Sequence, residues 1–244
     1  MAEATPVVGI YGLGRFGAFW GSLLARDSKV IGASRNRKEN LPDGITQCAP
    51  EELIEADALF LCVAISAVEE SCNYLAPLLR PEQLILDTCS VKVHPARLME
   101  SAFPPEQPLI ATHPMFGPDS ARDGVNGLPI IMHPLRHGAA KYQYWQDRFH
   151  RMGLKIVELS PEEHDREAAY TQGITHFVGR VLSRLNLPES AIATLGYRKI
   201  LEVVEQTCND PYQLFLDLQH YNPYTSSMRA ELTASLEKTL EELS

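Results

Sequence analysis

The segment Gly12-Leu13-Gly14-Arg15-Phe16-Gly17 stands between an apolar pentapeptide, Val7 to Tyr11, and a helix-forming apolar run, Phe16 to Ala25. Glycines at that spacing leave the chain few paths. The first permits a tight turn, the second lets a ligand's phosphates come up against the backbone, and the third lets helix lie close on strand. The helix start also aims its unpaired N–H groups at one point, which favours an anion. The segment therefore predicts a Rossmann βαβ unit that binds a dinucleotide, with Gly12, Gly14, Arg15, Phe16 and Gly17 around the pyrophosphate. The competing reading is a glycine turn with a packing role only.

Further apolar runs follow at Lys29–Ser34, Ala58–Ala64, Leu84–Leu86, Leu109–Thr112, Leu128–Met132 and Leu154–Leu159, with helical stretches such as Ala67–Leu79 and Ala139–Met152 between them. Strands alternating with helices predict an α/β architecture: a parallel, doubly wound sheet. Beyond Leu159 only helical periodicity is left, through Gly173–Leu185, Ile192–Thr207, Tyr212–His220 and Ser227–Leu243. The expected organisation is a dinucleotide-binding domain over residues 1–159 and a smaller all-helical domain over 160–244. Ser160 with Glu163 has capping-box spacing, so a long helix is expected to start there and to carry His164 and Asp165 in its first turns.

The 244 residues carry a net charge of −9, which disfavours nucleic acid and anionic lipid as partners. The longest apolar stretch, Ala58 to Val68, is far short of the roughly 20 residues of a membrane helix. Met1 to Pro6 lead straight into strand-like residues without the pattern of a secretory signal, so the expected location is the cytoplasm. Five cysteines without a C-x-x-C pair argue against a disulfide framework and against zinc. His133 and His137 have i,i+4 spacing, but Pro134 and Gly138 oppose a helix there, and no metal site is expected.

Which dinucleotide binds depends on the end of the second strand. An acidic residue there would hold ribose hydroxyls and repel an extra phosphate; this chain has Ser34, Arg35 and Arg37 instead. A hydroxyl and two guanidinium groups suit the 2′-phosphate of NADP. The alternative is a pair of solvated loop arginines. Ligands on such sheets sit at the carboxyl ends of the strands, where Asp87-Thr88-Cys89-Ser90-Val91-Lys92 and His113-Pro114-Met115-Phe116-Gly117 are expected side by side. His113 has the placement and the ordinary pKa range of an acid–base group, its competing role being a structural cap on the sheet. His176, by position, is equally a site residue or a core histidine.

In order, GLGRFG, DTCSVK, THPMFGPDS, NGLP, SPEEHD and QGITH cover nearly the whole chain, and together they resemble the prephenate/arogenate dehydrogenases of tyrosine biosynthesis. The stretch from His113 to Pro129, with Gly196-Tyr197 and Tyr221-Asn222-Pro223, is most similar to the plant-type arogenate dehydrogenases. The resemblance implies oxidative decarboxylation of a cyclohexadienyl substrate with hydride passed to NAD or NADP. It implies that His113 is the catalytic histidine on the ring hydroxyl and that Ser90 orients it and the nicotinamide. It further implies that His176 binds substrate near the ring carboxylate, and that the helical domain forms a homodimer.

Prephenate-preferring relatives place an arginine about five residues before an Asp-Pro pair; before Asp210-Pro211 this chain has Glu205. A glutamate suits the ammonium of arogenate, and Asp165 is a second candidate for that contact, while a solvated helix residue is the competing reading of Glu205. The rival enzyme class, the β-hydroxyacid dehydrogenases, would need a lysine base in the helical domain, where Lys199 and Lys238 sit among other charges. A non-enzymatic rival is an NADP-binding sensor with a decayed site.

Overall fold

The computed structural model describes residues 5–136 and 138–244. His137, half of the histidine pair weighed above, lies outside the described residues, as do the first four positions. The chain divides into two compact units, Met1–Pro161 and Glu162–Ser244.

The first unit is built on one eight-stranded sheet: β1 (Val7–Tyr11), β2 (Lys29–Ala33), β3 (Ile45–Gln47), β4 (Ala58–Leu61), β5 (Leu84–Asp87), β6 (Leu109–Pro114), β7 (Pro129–Arg136) and β8 (Lys155–Glu158). Their order is β3-β2-β1-β4-β5-β6-β7-β8. Strands β4, β5 and β6 are buried along their whole length, as strands covered on both faces must be, and this is why they read as unbroken apolar runs. Helices α1 (Arg15–Leu24), α2 (Val68–Leu75), α3 (Val93–Ala102) and α4 (Ala139–Arg151) supply the cover. α1 buries Gly17, Trp20, Gly21 and Leu24, the i, i+3, i+4, i+7 stripe of a helix lying on a sheet. Trp20 and Trp145 both pack edge-to-face with Phe60, ring centroids 5.7 and 4.9 Å away. A buried side chain of that size contributes roughly 1.5–3 kcal/mol.

The sheet departs from the expected all-parallel arrangement at one end. β7 runs antiparallel to β6, with His113 opposite Ile131 and Pro114 opposite Ile130. The physical reason is the connection: residues 115–128 contain no helix to carry the chain back to the start of the sheet, so it returns in the opposite sense. The same pairing extends β6 beyond the expected Thr112, so His113 lies within the strand and not just past it. β3 escaped the sequence reading because its three residues offer no alternation to detect.

The second unit contains α5 (Pro161–Ala168), α6 (Ile174–Ser183), α7 (Leu195–Asn209), α8 (Tyr212–Tyr221) and α9 (Thr225–Glu242). A π-helical turn, Ala169–Gly173, joins α5 to α6. α6 and α7 approach closely where Gly179 faces Thr207: a Cβ on the glycine would stand 2.2 Å from the threonine hydroxyl. Thr194 caps α7 by accepting the Tyr197 N–H at 3.2 Å. Asn222, between α8 and α9, donates to the Asp165 carbonyl at 2.8 Å and ties that turn to α5. Among the described residues no helix is long and apolar enough to cross a membrane.

Candidate active site

The carboxyl ends of β1, β4, β5 and β6 point to one edge of the sheet, and the chemistry-bearing segments gather there. Gly12 has φ +105, a conformation that side chains resist, and its N–H donates to the Ala33 carbonyl at 2.8 Å. Gly12 and Gly17 are glycines for steric reasons, because a Cβ on either would collide with backbone carbonyl oxygens. Gly14 differs: nothing lies within 4 Å of the place its Cβ would take, and its φ of −75 suits any residue. The fold thus leaves an open space over the start of α1, which has no acidic residue in its first turn. A phosphate fits that space and the N–H groups facing it.

Phe16 offers a ligand only its backbone, since its ring stacks on Trp20 with centroids 6.0 Å apart. Arg15 is ion-paired with Asp119 of the β6–β7 connection. At the end of β2, the Ser34 hydroxyl donates to the Asn36 carbonyl at 2.7 Å and shapes the turn, while Arg35 and Arg37 are exposed. Arg35 is near enough to Tyr11, the last residue of β1, to oppose the rise that burial imposes on the tyrosine's pKa.

β5 and β6 are joined at this edge by a buried polar clamp. The Asp87 carboxylate accepts the N–H of Thr112 at 3.1 Å and that of Cys89 at 3.0 Å, and it pairs with the Lys92 ammonium. Lys92 also donates to the Thr112 carbonyl, and the Thr112 hydroxyl donates to the Asp87 carbonyl. The residue directly before His113 is therefore held on all its polar groups, and His113 itself is 3% exposed. Ser90, itself half-buried, stands between Asp87 and Lys92 in sequence, on the mostly buried loop that this clamp fixes. The structure thus brings Ser90 and His113 to adjacent strand ends. Asp87 and Lys92 bound the DTCSVK motif, but their pairing with Thr112 depends on the register of β5 against β6, which is why the sequence assigned them no role.

In the helical unit, His176 is 6% exposed and its Nε2 lies 3.8 Å from the Asp210 carboxylate. Burial holds its pKa below the ordinary histidine range, outweighing the opposite pull of Asp210, with Arg180 adding to the depression. Its Nδ1 has no hydrogen-bond partner among the described residues, nor has Gln172 Oε1 four residues earlier. Orphaned buried polar atoms are costly, and here two occur on one helical stretch. Asp165 is fully buried and holds His164 through its carboxylate at 2.8 Å. Glu205 is exposed. Thr207, which faces α6, is two residues on, so Glu205 lies about 200° round the helix, on the side turned away from α6 and His176. Lys199 is exposed and pairs with Glu202 at 3.1 Å. Among the described residues no group of His, Cys, Asp and Glu is arranged to hold a metal ion.

Residues 20–158 match the model of the prephenate dehydrogenase nucleotide-binding domain, and residues 181–244 that of the TYRAAT1-like C-terminal domain. The chain belongs to the prephenate/arogenate dehydrogenase family. Arogenate dehydrogenase 2, chloroplastic, of Arabidopsis thaliana is 34% identical over 97% of this chain and 69% of its own length. Arogenate dehydrogenase 1, chloroplastic, from the same plant is 34% identical over 88% of this chain and 36% of its own length, so the family chain described here spans about a third of that relative. Among solved structures, the prephenate dehydrogenase of A. aeolicus in complex with hydroxyphenyl propionate and NAD+ superposes with a TM-score of 0.74, covering 100% of this chain and 92% of that one at 18% identity. At that identity the likeness speaks to the fold, and it places this dehydrogenase-family chain on a mostly parallel sheet followed by helices.

Proposed function

We propose that the protein is an NADP-dependent dehydrogenase that oxidatively decarboxylates arogenate to tyrosine and CO2. The observation that carries this reading is the common edge shared by the Gly12–Gly17 cradle and His113. Three strand spacings separate β1 from β6, about 14 Å, a span the nicotinamide half of a dinucleotide covers from its pyrophosphate. A bound nicotinamide supplies the hydride acceptor. His113 takes the proton of the ring hydroxyl as hydride leaves the carbon that bears it, and Ser90 keeps the imidazole aligned. Loss of the ring carboxylate as CO2 returns its bond pair to the ring, and the proton held by His113 ends on the phenol oxygen. Alignment is the larger contribution from the chain's own residues, several kcal/mol for well-oriented groups, with a base adding about 100- to 10,000-fold.

Neutral His176, with Nδ1 unfilled, suits the binding of the ring carboxylate by hydrogen bond. Preference for NADP rests on Ser34, Arg35 and Arg37. Preference for arogenate rests on Glu205, not an arginine, standing about five residues ahead of Asp210-Pro211, with Arg198 further back on the same helix as the competing positive charge; the exposure of Glu205 and the engagement of Asp165 with His164 leave neither poised for the substrate ammonium within one protomer. A homodimer through the helical unit is supported by its surface. Ten of the thirteen exposed large apolar side chains among the described residues belong to it, Ile192 at 91% and Leu243 at 80% exposure among them.

Steady-state rates with arogenate and prephenate, each with NADP and NAD, test the proposal. Arogenate with NADP is expected to give the highest kcat/KM. A tenfold advantage for prephenate, about 1.4 kcal/mol in transition-state binding, overturns the substrate reading, and absence of turnover with either substrate leaves a nucleotide-binding sensor.

A further inference from the structure

At the opposite edge of the sheet, the first residues of β1, β4 and β5 (Val7, Ala58 and Leu84) line a cavity of about 560 Å³ together with Tyr144 and Trp145 of α4. Small-molecule sites occupy roughly 300–1,000 Å³ and combine apolar walls with a few placed charges. This cavity has both. Its acids are already engaged: Asp57 accepts the Val7 N–H at 2.9 Å, and Glu82 pairs with Arg80 at 3.2 Å. Of its cations, Arg80 is taken by Glu82 and Arg148 is paired on one side with Asp27, which leaves Lys141 and the rest of the Arg148 guanidinium. Lys141 donates to the backbone carbonyl of Glu82 and not to a carboxylate. Arg148 is 1% exposed, lies 4.8 Å over the Trp145 ring, and spends one amine arm on the Leu24 carbonyl and Asp27. Its Nε and Nη1 have no hydrogen-bond partner among the described residues. A buried guanidinium with unfilled donors is an unfavourable arrangement that nearby negative charge relieves.

We propose that this cavity binds a small carboxylate carrying a flat apolar ring. The ring lies against Tyr144 and Trp145, and the carboxylate meets Lys141 above the field of Arg148. The site is separate from the nucleotide cradle by the length of β1, five residues or about 16 Å, so both can be filled together. It does not depend on the dehydrogenase reading.

Phenylacetate and the full-length protein provide the test, read by the indole N–H resonances of the two tryptophans. The Trp145 signal, identified by its loss in Trp145→Phe, is expected to move saturably with phenylacetate, with and without saturating NADP, and not with benzyl alcohol. Lys141→Met is expected to weaken binding about tenfold, as loss of a charged contact should. Ala140→Trp, at an exposed lining position where the fold is not at stake, is expected to abolish it. No saturable shift, an equal response to benzyl alcohol, displacement by NADP, or unchanged binding in Ala140→Trp would each overturn the proposal.

Discussion

Gly17 packs so closely on Gly12 that a Cβ at position 17 would stand 1.9 Å from the Gly12 carbonyl oxygen. Gly14, between them in sequence, has nothing within 4 Å of its missing Cβ. The two glycines should therefore separate fold from ligand. Gly17→Ala is expected to destabilise by about 1–3 kcal/mol or more, as overpacking does. Gly14→Ala should leave stability unchanged or raise it by about 0.4–1 kcal/mol, while weakening dinucleotide binding at least tenfold. Thermal melts with cofactor titrations check both; undiminished binding in Gly14→Ala would show the open space to be unused.

Arg35 is exposed at the end of β2 beside Tyr11. Arg35→Ala is expected to cost about 10- to 100-fold in NADP affinity, the range of one charge-assisted phosphate contact, and little in NAD affinity. Titration of both cofactors measures it, and equal losses would remove the phosphate-clamp assignment.

His113 and Lys92 touch the same strand end but should fail differently. His113→Asn is expected to lower kcat by about 100-fold or more with the melting temperature and cofactor affinity nearly unchanged. Lys92→Met leaves Asp87 buried and uncompensated, and should cost about 3–5 kcal/mol of stability. Ordinary turnover in His113→Asn would make that histidine structural.

His176 resists protonation in the folded chain, its pKa lying below the 6.5 of an ordinary histidine. As pH falls through the ordinary histidine range, the unfolded chain takes up a proton that the native chain does not, so stability declines with acidification and its contribution is fully present only above that range. His176→Gln lacks this dependence. Urea denaturation at about pH 7.5 and about pH 5.5 should show the wild type losing more stability than the variant. Parallel losses would mean that His176 titrates normally.

The exposed leucines Leu236 and Leu240 of α9, and Leu243 just beyond its end, lie on the unit proposed to dimerise. Replacing all three by serine is expected to give a monomer by sedimentation with reduced activity, and truncation from Ser227 an insoluble or inactive chain. A soluble, active monomer from that truncation would count against the helical unit as the interface.

Much of the architecture was legible because buried strands leave unbroken apolar runs and the glycine segment admits few chain paths. The reversal at β7 was not, since an apolar run has no direction; only the missing crossover helix before Leu128 hinted at it. At the site, His113 stands out because it follows an apolar run at the carboxyl end of a strand, and Ser90 through the family motif; the structure places both segments at neighbouring strand ends. The clamp of Asp87, Lys92 and Thr112 could not, because it depends on the register between β5 and β6. Glu205 is a different case. Its charge invited a role, but its side of the helix is set by the packing of Gly179 on Thr207, which no local pattern reveals.

The π-helical turn Ala169–Gly173 works as a phase adjuster. Each residue added to a helix rotates everything after it by about 100°, and a π turn accommodates one more residue than the α-helix around it. Deleting a single residue there would let α5 run into α6 as ordinary helix with His176 left near its present heading, because the π turn takes up its extra residue within one wider turn. A deletion in the regular helix just after it, between Gly173 and His176, would instead swing the imidazole about 100°, so the two deletions should differ sharply in their effect on substrate binding.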